Sequence, residues 1–164
     1  MANIIDYIQW RGDLSFAVDP FNAVDNLILA RICYIDFDDL DPSGERLAAV
    51  ADRYIHSESR MNPGLLLQEG TRPLLEAAGT SERFGSLLVR AFVSKIDEEA
   101  QLQFSAVTFE LDRKTAFVAF RGTDDTLVGW KEDFNMSFMD AVPAQLEAAA
   151  YLKEIMDERR YRDL

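Results

Sequence analysis

The spacing of apolar residues changes twice along this chain, near Leu87 and again after Asp140. Before Leu87, apolar residues recur at intervals of three and four, which is the spacing of amphipathic helices. From Leu87 to Phe120 they alternate with polar residues or run together, as in β-strands, and helical spacing returns from Val142 to Arg160. Strands that lead through a loop into a helix crossing the sheet predict the opening half of an α/β sheet, because such a helix normally feeds another strand.

The residues before Leu87 predict three helices. Asn22 can cap the first, whose expected inward face comprises Val24, Leu27, Ile28, Ile32 and Ile35. The second is expected to start at Asp41-Pro42 and to bury Leu47, Val50, Ala51 and Tyr54. The third is expected to start at Thr71 with Pro73 and to stop at Gly79.

Three strands are predicted in the middle of the chain, over residues 87–93, 103–111 and 115–120, with a tight turn at Asp112-Arg113-Lys114. The third is apolar on both faces, which is typical of a strand inside a sheet that is covered on both sides. The helix that follows is expected to pack on this sheet through one stripe, formed by Val142, Leu146, Ala149, Leu152 and Met156.

The length of 164 residues fits one unit, with a mainly helical region over residues 1–85 and the sheet, a loop and the last helix over residues 86–164. Since 17 basic residues oppose 29 acidic ones, the net charge of −12 disfavours nucleic acid as a partner. No apolar run reaches the roughly 18 residues of a spanning helix. Asp6 interrupts the start where a leader would be apolar, and Cys33 is the single cysteine, so we expect a cytoplasmic protein.

The most specific motif is Phe120-Arg121-Gly122-Thr123-Asp124-Asp125, at the carboxyl end of the third strand. Functional sites of open α/β sheets lie at such ends. Gly122 permits a tight turn that could direct the N–H and hydroxyl of Thr123 towards a developing oxyanion. The alternative is an ordinary polar turn closed by an aspartate side chain.

Several segments together carry a family resemblance: residues 6–15, residues 20–29, the run from Thr115 to Asp124, Trp130-Lys-Glu-Asp133 and residues 133–138. With these segments the chain resembles a bacterial lipase-like family of α/β hydrolases, of unknown function, that is related to class 3 lipases. The resemblance implies the N-terminal half of an α/β-hydrolase fold. It also implies that Thr123 is an oxyanion-hole residue, that Asp133 orients Thr123, and that Gly122, Asp124 and Trp130 belong to a substrate or lid region.

The sequence departs from that family because no serine lies in a Gly-x-Ser-x-Gly elbow. We therefore expect the N-terminal part of a serine hydrolase for a carboxylic ester or similar acyl bond, without a cofactor and inactive by itself, with the elbow beyond Leu164. Its substrate would be a small-molecule or lipid-like ester. We also expect the edge of the sheet beside Phe117 to Phe120 to be open, and to be covered by a missing C-terminal half or by another copy of the chain. The alternative is a non-catalytic α/β interaction module.

Other candidate residues have structural interpretations. His56 and Cys33 would have to meet to form a thiol dyad, but Cys33 lies in an apolar helical pattern that favours simple burial. Asp39-x-Asp41-x-Ser43-Gly44 matches the first half of a calcium loop, but Val50 replaces the glutamate that the twelfth position needs. We interpret this segment as a helix cap beside an acidic loop and predict no metal site. Arg11-Gly12-Asp13 is interpreted as a turn.

Overall fold

The structure is a computed structural model that describes residues 3–35, 37, 40–57, 70–97, 99, 102–122 and 142–157. It combines helices with a four-stranded antiparallel sheet. Two helices open the chain, α1 (Ile4–Arg11) and α2 (Ala23–Ile32). Each begins with a capping box, formed by Asn3 and Asp6 in α1 and by Asn22 and Asp25 in α2. The predicted role of Asn22 as a helix cap is thus confirmed.

Four short elements follow: β1 (Glu45–Arg46), α3 (Leu47–His56), α4 (Thr71–Thr80) and α5 (Glu82–Gly85). The predicted face of α3 is confirmed, because its buried residues are Leu47, Val50, Ala51 and Tyr54. Its predicted start is wrong, since Glu45–Arg46 pairs with a later strand before the helix begins. Asp41 instead forms a turn with a φ of 30°, in which its carboxylate accepts a hydrogen bond from the Ser43 N–H at 3.1 Å.

The sheet is completed by β2 (Leu88–Asp97), β3 (Leu102–Glu110) and β4 (Ala116–Phe120), in the spatial order β1-β2-β3-β4. All neighbours are antiparallel, and β2 carries an irregularity between Val89 and Ala91. The predicted turn after β3 is also present, because the Asp112 carboxylate accepts hydrogen bonds from the N–H groups of Lys114 and Thr115. The change to strand periodicity at Leu87 marks the beginning of the three consecutive strands β2, β3 and β4, while β1 adds a short strand from earlier in the chain.

Helices cover both faces of this sheet. The larger core lies on the face towards α1–α5 and includes Ile28, Phe84, Val107 and Phe109, all fully buried. On the opposite face, the last helix α6 (Pro143–Asp157) packs against residues of β2, β3 and β4. Successive side chains of a strand point to opposite faces, and each face here is covered by helices. This arrangement therefore requires strands that are apolar on both faces.

The inward face of α6 differs from the predicted stripe. Leu146 and Met156 are 63% and 59% exposed, and Ala149 is also exposed. The residues that pack on the sheet are Ala144, Ala148, Tyr151 and Ile155. Small side chains let the helix approach the strands closely, and the Tyr151 hydroxyl lies 2.7 Å from the Thr108 hydroxyl. The helix is thus rotated relative to the prediction, which leaves Met156 at the surface.

The inward face of α2 needs a smaller correction. Ile28 and Ile32 are fully buried as predicted, whereas Leu27 is 54% exposed and Leu29 takes its place in the core. Asp25, a charged residue on the same helix, is also fully buried. The cost of burying the Asp25 carboxylate is offset because it pairs with an arginine from α5.

That arginine, Arg83, is fully buried and bonded along its whole guanidinium group. It contacts the Asp25 carboxylate at 2.8 and 2.6 Å. It also donates to the carbonyls of Leu14 and Asp19 at 2.9 Å and of Pro20 at 3.3 Å. Arg83 therefore fixes the segment between α1 and α2 against the rest of the helical layer.

Among the helices of the described segments, none has the length and apolar composition that a membrane crossing requires.

Candidate functional site

The carboxyl end of β4 is the place where the sequence predicted a site. Of the predicted site residues, the structure describes Gly122; Thr123, Asp124, Trp130 and Asp133 lie outside the described residues. The roles assigned to those four residues therefore stay predictions.

Gly122 is held by a residue that follows α2. Its N–H donates to the Tyr34 hydroxyl at 3.2 Å. A Cβ atom at position 122 would lie 3.0 Å from that same oxygen, so glycine permits the close approach. The Arg121 N–H donates to the Ser105 carbonyl at 2.9 Å and continues the β3–β4 ladder up to this point. The end of β4 is thus anchored both to β3 and to the helical layer.

The thiol of Cys33 packs below this point. Its Sγ–H donates to the Ala119 carbonyl at 3.2 Å, and the side chain is fully buried. Burial raises the pKa of Cys33 to about 12, and the nearby charge of Arg121 offsets only part of this effect. The thiol is therefore protonated at neutral pH and serves as a small buried side chain.

His56 has different partners from Cys33. In the last turn of α3, its exposed ring Nδ1 lies 2.8 Å from the Asp52 carbonyl and 3.4 Å from the Asp52 carboxylate. The dyad that a thiol nucleophile would need is not formed between these two described residues.

The segment that resembles half of a calcium loop uses its carboxylate locally. The pKa of Asp41 is lowered because Ser43 donates hydrogen bonds to it from its side chain and its backbone. Within the described segments, no three acidic, histidine or cysteine side chains are grouped as a metal site would require. Asp39 lies outside those segments.

Within the described part of the chain, the outer edge of β4 presents backbone groups that no other strand pairs with. The bonds at Arg121 and at Leu111, whose N–H donates to the Thr115 carbonyl at 3.0 Å, fix which positions face β3. Because bonded positions alternate in an antiparallel pair, Ala116, Val118 and Phe120 direct their N–H and C=O groups away from β3. No other strand of the described residues lies on that side, since β4 ends the sheet order.

A groove of about 550 Å³ runs along this outer edge, and we call it the β4 groove. One wall comes from the helical layer, where the rings of Phe21 and Phe117 are 5.5 Å apart. The other comes from α6, through Leu152 and Met156. The lining residues are Phe21, Asn26, Leu111, Thr115, Ala116, Phe117, Val118, Phe120, Leu152 and Met156.

Sequence analysis predicted the open edge of β4 but not the walls of the groove. The sequence pattern places Leu152 and Met156 against the sheet, and Phe21 enters only through the family resemblance of residues 20–29. A useful signal was present: α6 contains more large apolar residues than one sheet-facing stripe can use. Such an excess indicates a second apolar surface.

Comparison with family models gives one match, to the Mbeg1-like family over residues 78–163, a little over half of the chain. Comparisons with curated proteins and with solved structures gave no significant match. The predicted membership of a lipase-like α/β-hydrolase family related to class 3 lipases is wrong, because the matching family is a different one. The descriptions of the chain as lipase-like and as a hydrolase rested on that resemblance and are therefore wrong as well. The matched residues include β2, β3, β4 and α6, and the chain belongs to the Mbeg1-like family.

Proposed function

We propose that this chain is an α/β interaction module that binds an extended segment along the outer edge of β4. The observation that carries the proposal is the β4 groove, in which an open strand edge lies between two apolar walls. Strand addition to an exposed sheet edge is an established way to recognise peptides, in which backbone bonds supply affinity and side-chain pockets supply specificity.

The backbone of β4 favours an extended partner. Ala116, Val118 and Phe120 offer alternating N–H and C=O groups, which only another strand can match in spacing and direction. Phe120 is 39% exposed and Val118 is partly buried, so both remain accessible to a partner. A bound strand would also cover the kind of edge that otherwise invites unspecific pairing.

The walls of the groove favour apolar side chains on both faces of the incoming strand. On the α6 side the strand would meet Leu152 and Met156, and on the other side it would meet Phe21 and Phe117. Since successive side chains of a strand point to opposite faces, one strand can contact both walls at once. The Asn26 amide, exposed at the rim, adds a polar contact.

The helical wall is fixed before any partner arrives. Phe21 follows Pro20, whose carbonyl accepts a bond from the buried Arg83, and the Phe21 ring also packs 5.5 Å from that of Phe16. A preformed wall reduces the conformational entropy that binding costs.

The proposal is tested with a fluorescein-labelled peptide of alternating valine and threonine, by anisotropy at protein concentrations where the chain is monomeric. We expect binding that Met156→Lys weakens strongly and that Leu146→Lys leaves unchanged. The two substitutions are matched, because both residues lie on α6 with similar exposure and only Met156 lines the groove. Equal effects of the two substitutions on peptide binding, or a chain that binds neither the peptide nor another copy of itself, would overturn the proposal.

A second candidate function is acyl-bond chemistry at the carboxyl end of β4, and it includes the finer proposal that this sheet is the opening half of an α/β-hydrolase sheet. The observation that favours it is the position of Gly122, exposed at a strand end beside the Tyr34 hydroxyl. An oxyanion-stabilising loop there would serve a carboxylic ester or similar acyl substrate only after a nucleophile had attacked it.

This second candidate has its own test. The 164-residue chain is expected to hydrolyse no short acyl ester above background and to take up no fluorophosphonate. In a longer natural product that carries Gly-x-Ser-x-Gly, Thr123→Val is expected to reduce turnover on the order of 10- to 1000-fold, and Asp133→Asn less. Labelling of the short chain, or full turnover of the Thr123→Val variant, would contradict it.

A further inference from the structure

We propose that the strand that occupies the β4 groove is β4 of a second copy of this chain, paired antiparallel about a two-fold axis at Val118. The inference rests on the proposed edge function and names its partner. It follows from the order of large and small residues in Ala116–Phe120, which is complementary to itself when reversed.

Antiparallel pairing centred on Val118 places each residue of β4 opposite a defined residue of the other copy. Ala116 lies opposite Phe120, Phe117 lies opposite Ala119, and Val118 lies opposite Val118. Every pair away from the axis therefore joins a large side chain to a small one, as close packing between facing positions favours. Directly opposite residues have Cβ atoms only about 4.5–5.5 Å apart, so each phenylalanine ring can lie over the alanine opposite it.

The backbone agrees with the same register. Ala116, Val118 and Phe120 are the residues whose N–H and C=O groups face outwards, and this register pairs them with one another. Each such pair exchanges two hydrogen bonds, so the joined edges would gain about six. An isologous contact of this kind closes after two copies and generates no filament.

In this register, residues that lie opposite each other also belong to the same face of the sheet. In β4, Ala116 packs with Ile155 of α6, and the Phe120 ring lies 6.0 Å from Phe104 on the same face. Phe117 and Ala119 belong to the opposite face, towards the helical layer. A two-fold axis perpendicular to the sheet keeps like faces together, so the large and small partners meet on the same side.

On the α6 face of the sheet, the last helices of the two copies have room beside each other. With strands about 4.8 Å apart, the two β3 strands would be separated by about 14 Å. Helices pack at about 8–10 Å, so two α6 helices lying over β3 can face each other without overlap. Met156, 59% exposed at the groove, would then be covered in the dimer.

Charge opposes this contact. Each copy carries a net charge of −12. The two copies repel one another over a distance that salt shortens, so the dimer is expected to be weaker at low ionic strength.

Sedimentation of the 164-residue chain over a concentration series tests the proposal. We expect particles that reach twice the monomer mass of 18.6 kDa and go no higher. Met156→Lys should shift the chain to monomer, whereas its matched control Leu146→Lys should not. Circular dichroism of each variant confirms that it is folded.

A cysteine scan tests the register. Val118→Cys places two thiols opposite each other across the axis, within disulfide reach, and should give a covalent dimer with a mild copper oxidant. Lys114→Cys is the control, because its two copies would lie about 27 Å apart in this register. The native Cys33 is fully buried, so it does not compete.

The possible results distinguish failure of the dimer proposal from failure of the proposed function. If the chain stays monomeric but binds the valine-threonine peptide, the proposal of a second copy is overturned, and the proposed binding function of the β4 edge remains supported. A dimer that persists in Met156→Lys, or that crosslinks equally through positions 114 and 118, overturns the assignment of the contact to β4. A chain that neither self-associates nor binds the peptide overturns both.

Discussion

Arg83 determines how the N-terminal helices hold together, and periodicity gave no sign of it. Burial by itself would lower the pKa of Arg83, but the hydrogen bonds and charge of Asp25, together with contributions from Tyr7 and Asp19, raise it. The guanidinium therefore stays charged inside the protein. Its partner Asp25 receives a further bond from the Tyr7 hydroxyl at 3.1 Å, so the pair belongs to a network.

Replacing Arg83 should destabilise the fold strongly. Arg83→Met leaves the Asp25 carboxylate buried without its counter-charge, and we expect the free energy of unfolding to fall by about 3–5 kcal/mol. Arg11→Met is the control: its bond to Asp19 is 2.9 Å long but half exposed, and should be worth less than about 1 kcal/mol. Urea denaturation measures both. Equal losses in the two variants would show that the buried pair is not a main support of the helical layer.

Cys33 should be chemically silent in the folded protein. Its thiol is fully buried and its pKa is raised to about 12, so little thiolate forms at mildly alkaline pH. We expect no reaction with a disulfide reagent such as Ellman's reagent in the native state, and complete reaction in denaturing urea. Rapid native labelling would contradict the packing of Cys33 beneath β4.

The orientation of α6 distinguishes the structure from the prediction made from its sequence. Ala148 packs on the sheet, whereas the adjacent Ala149, expected to face inwards, is exposed. Ala148→Lys should therefore cost about 2 kcal/mol or more, because it forces a charge against apolar strands. Ala149→Lys should change stability by no more than about 0.5 kcal/mol. Thermal or urea unfolding measures the stability of both variants. A larger loss of stability in Ala149→Lys than in Ala148→Lys would favour the predicted stripe.

The elements that sequence predicted best are those whose pattern has one consistent meaning. In α3, Leu47, Val50, Ala51 and Tyr54 recur at helical spacing on one face, and all four are buried. The alternation that begins at Leu87 likewise has no helical interpretation. Both signals depend on local spacing alone.

The elements that sequence predicted poorly depend on neighbours far along the chain. Contacts with β3 determine which face of α6 is buried. Ala144 and Ala148 allow the helix to approach β3 closely, and the Tyr151 hydroxyl bonds to that of Thr108. Size and hydropathy favoured Leu146 and Met156 instead. The pairing of Asp25 with Arg83 joins positions 58 residues apart, and no periodicity reports such a contact.

The charge of the whole molecule should control its association. With a net charge of −12 on each copy, repulsion extends about 30 Å at about 10 mM salt and about 8 Å at physiological ionic strength. We therefore expect the dimer fraction to rise as sodium chloride is added over this range. Light scattering at fixed protein concentration measures it. A dimer fraction that falls with salt would indicate a contact held by opposite charges and not by the apolar edge of β4.

The claim that connects these features is that the outer edge of β4 is a binding edge, and amide hydrogen exchange resolved by residue tests it most directly. In the dilute chain, the N–H groups of Phe117 and Ala119 should exchange slowly because they face β3, while those of Ala116, Val118 and Phe120 should exchange fast. At high protein concentration, or with the valine-threonine peptide bound, the second set should become protected and the first should stay unchanged. Equal protection of both sets in the dilute chain, or no gain of protection at Val118 on association, would contradict the account.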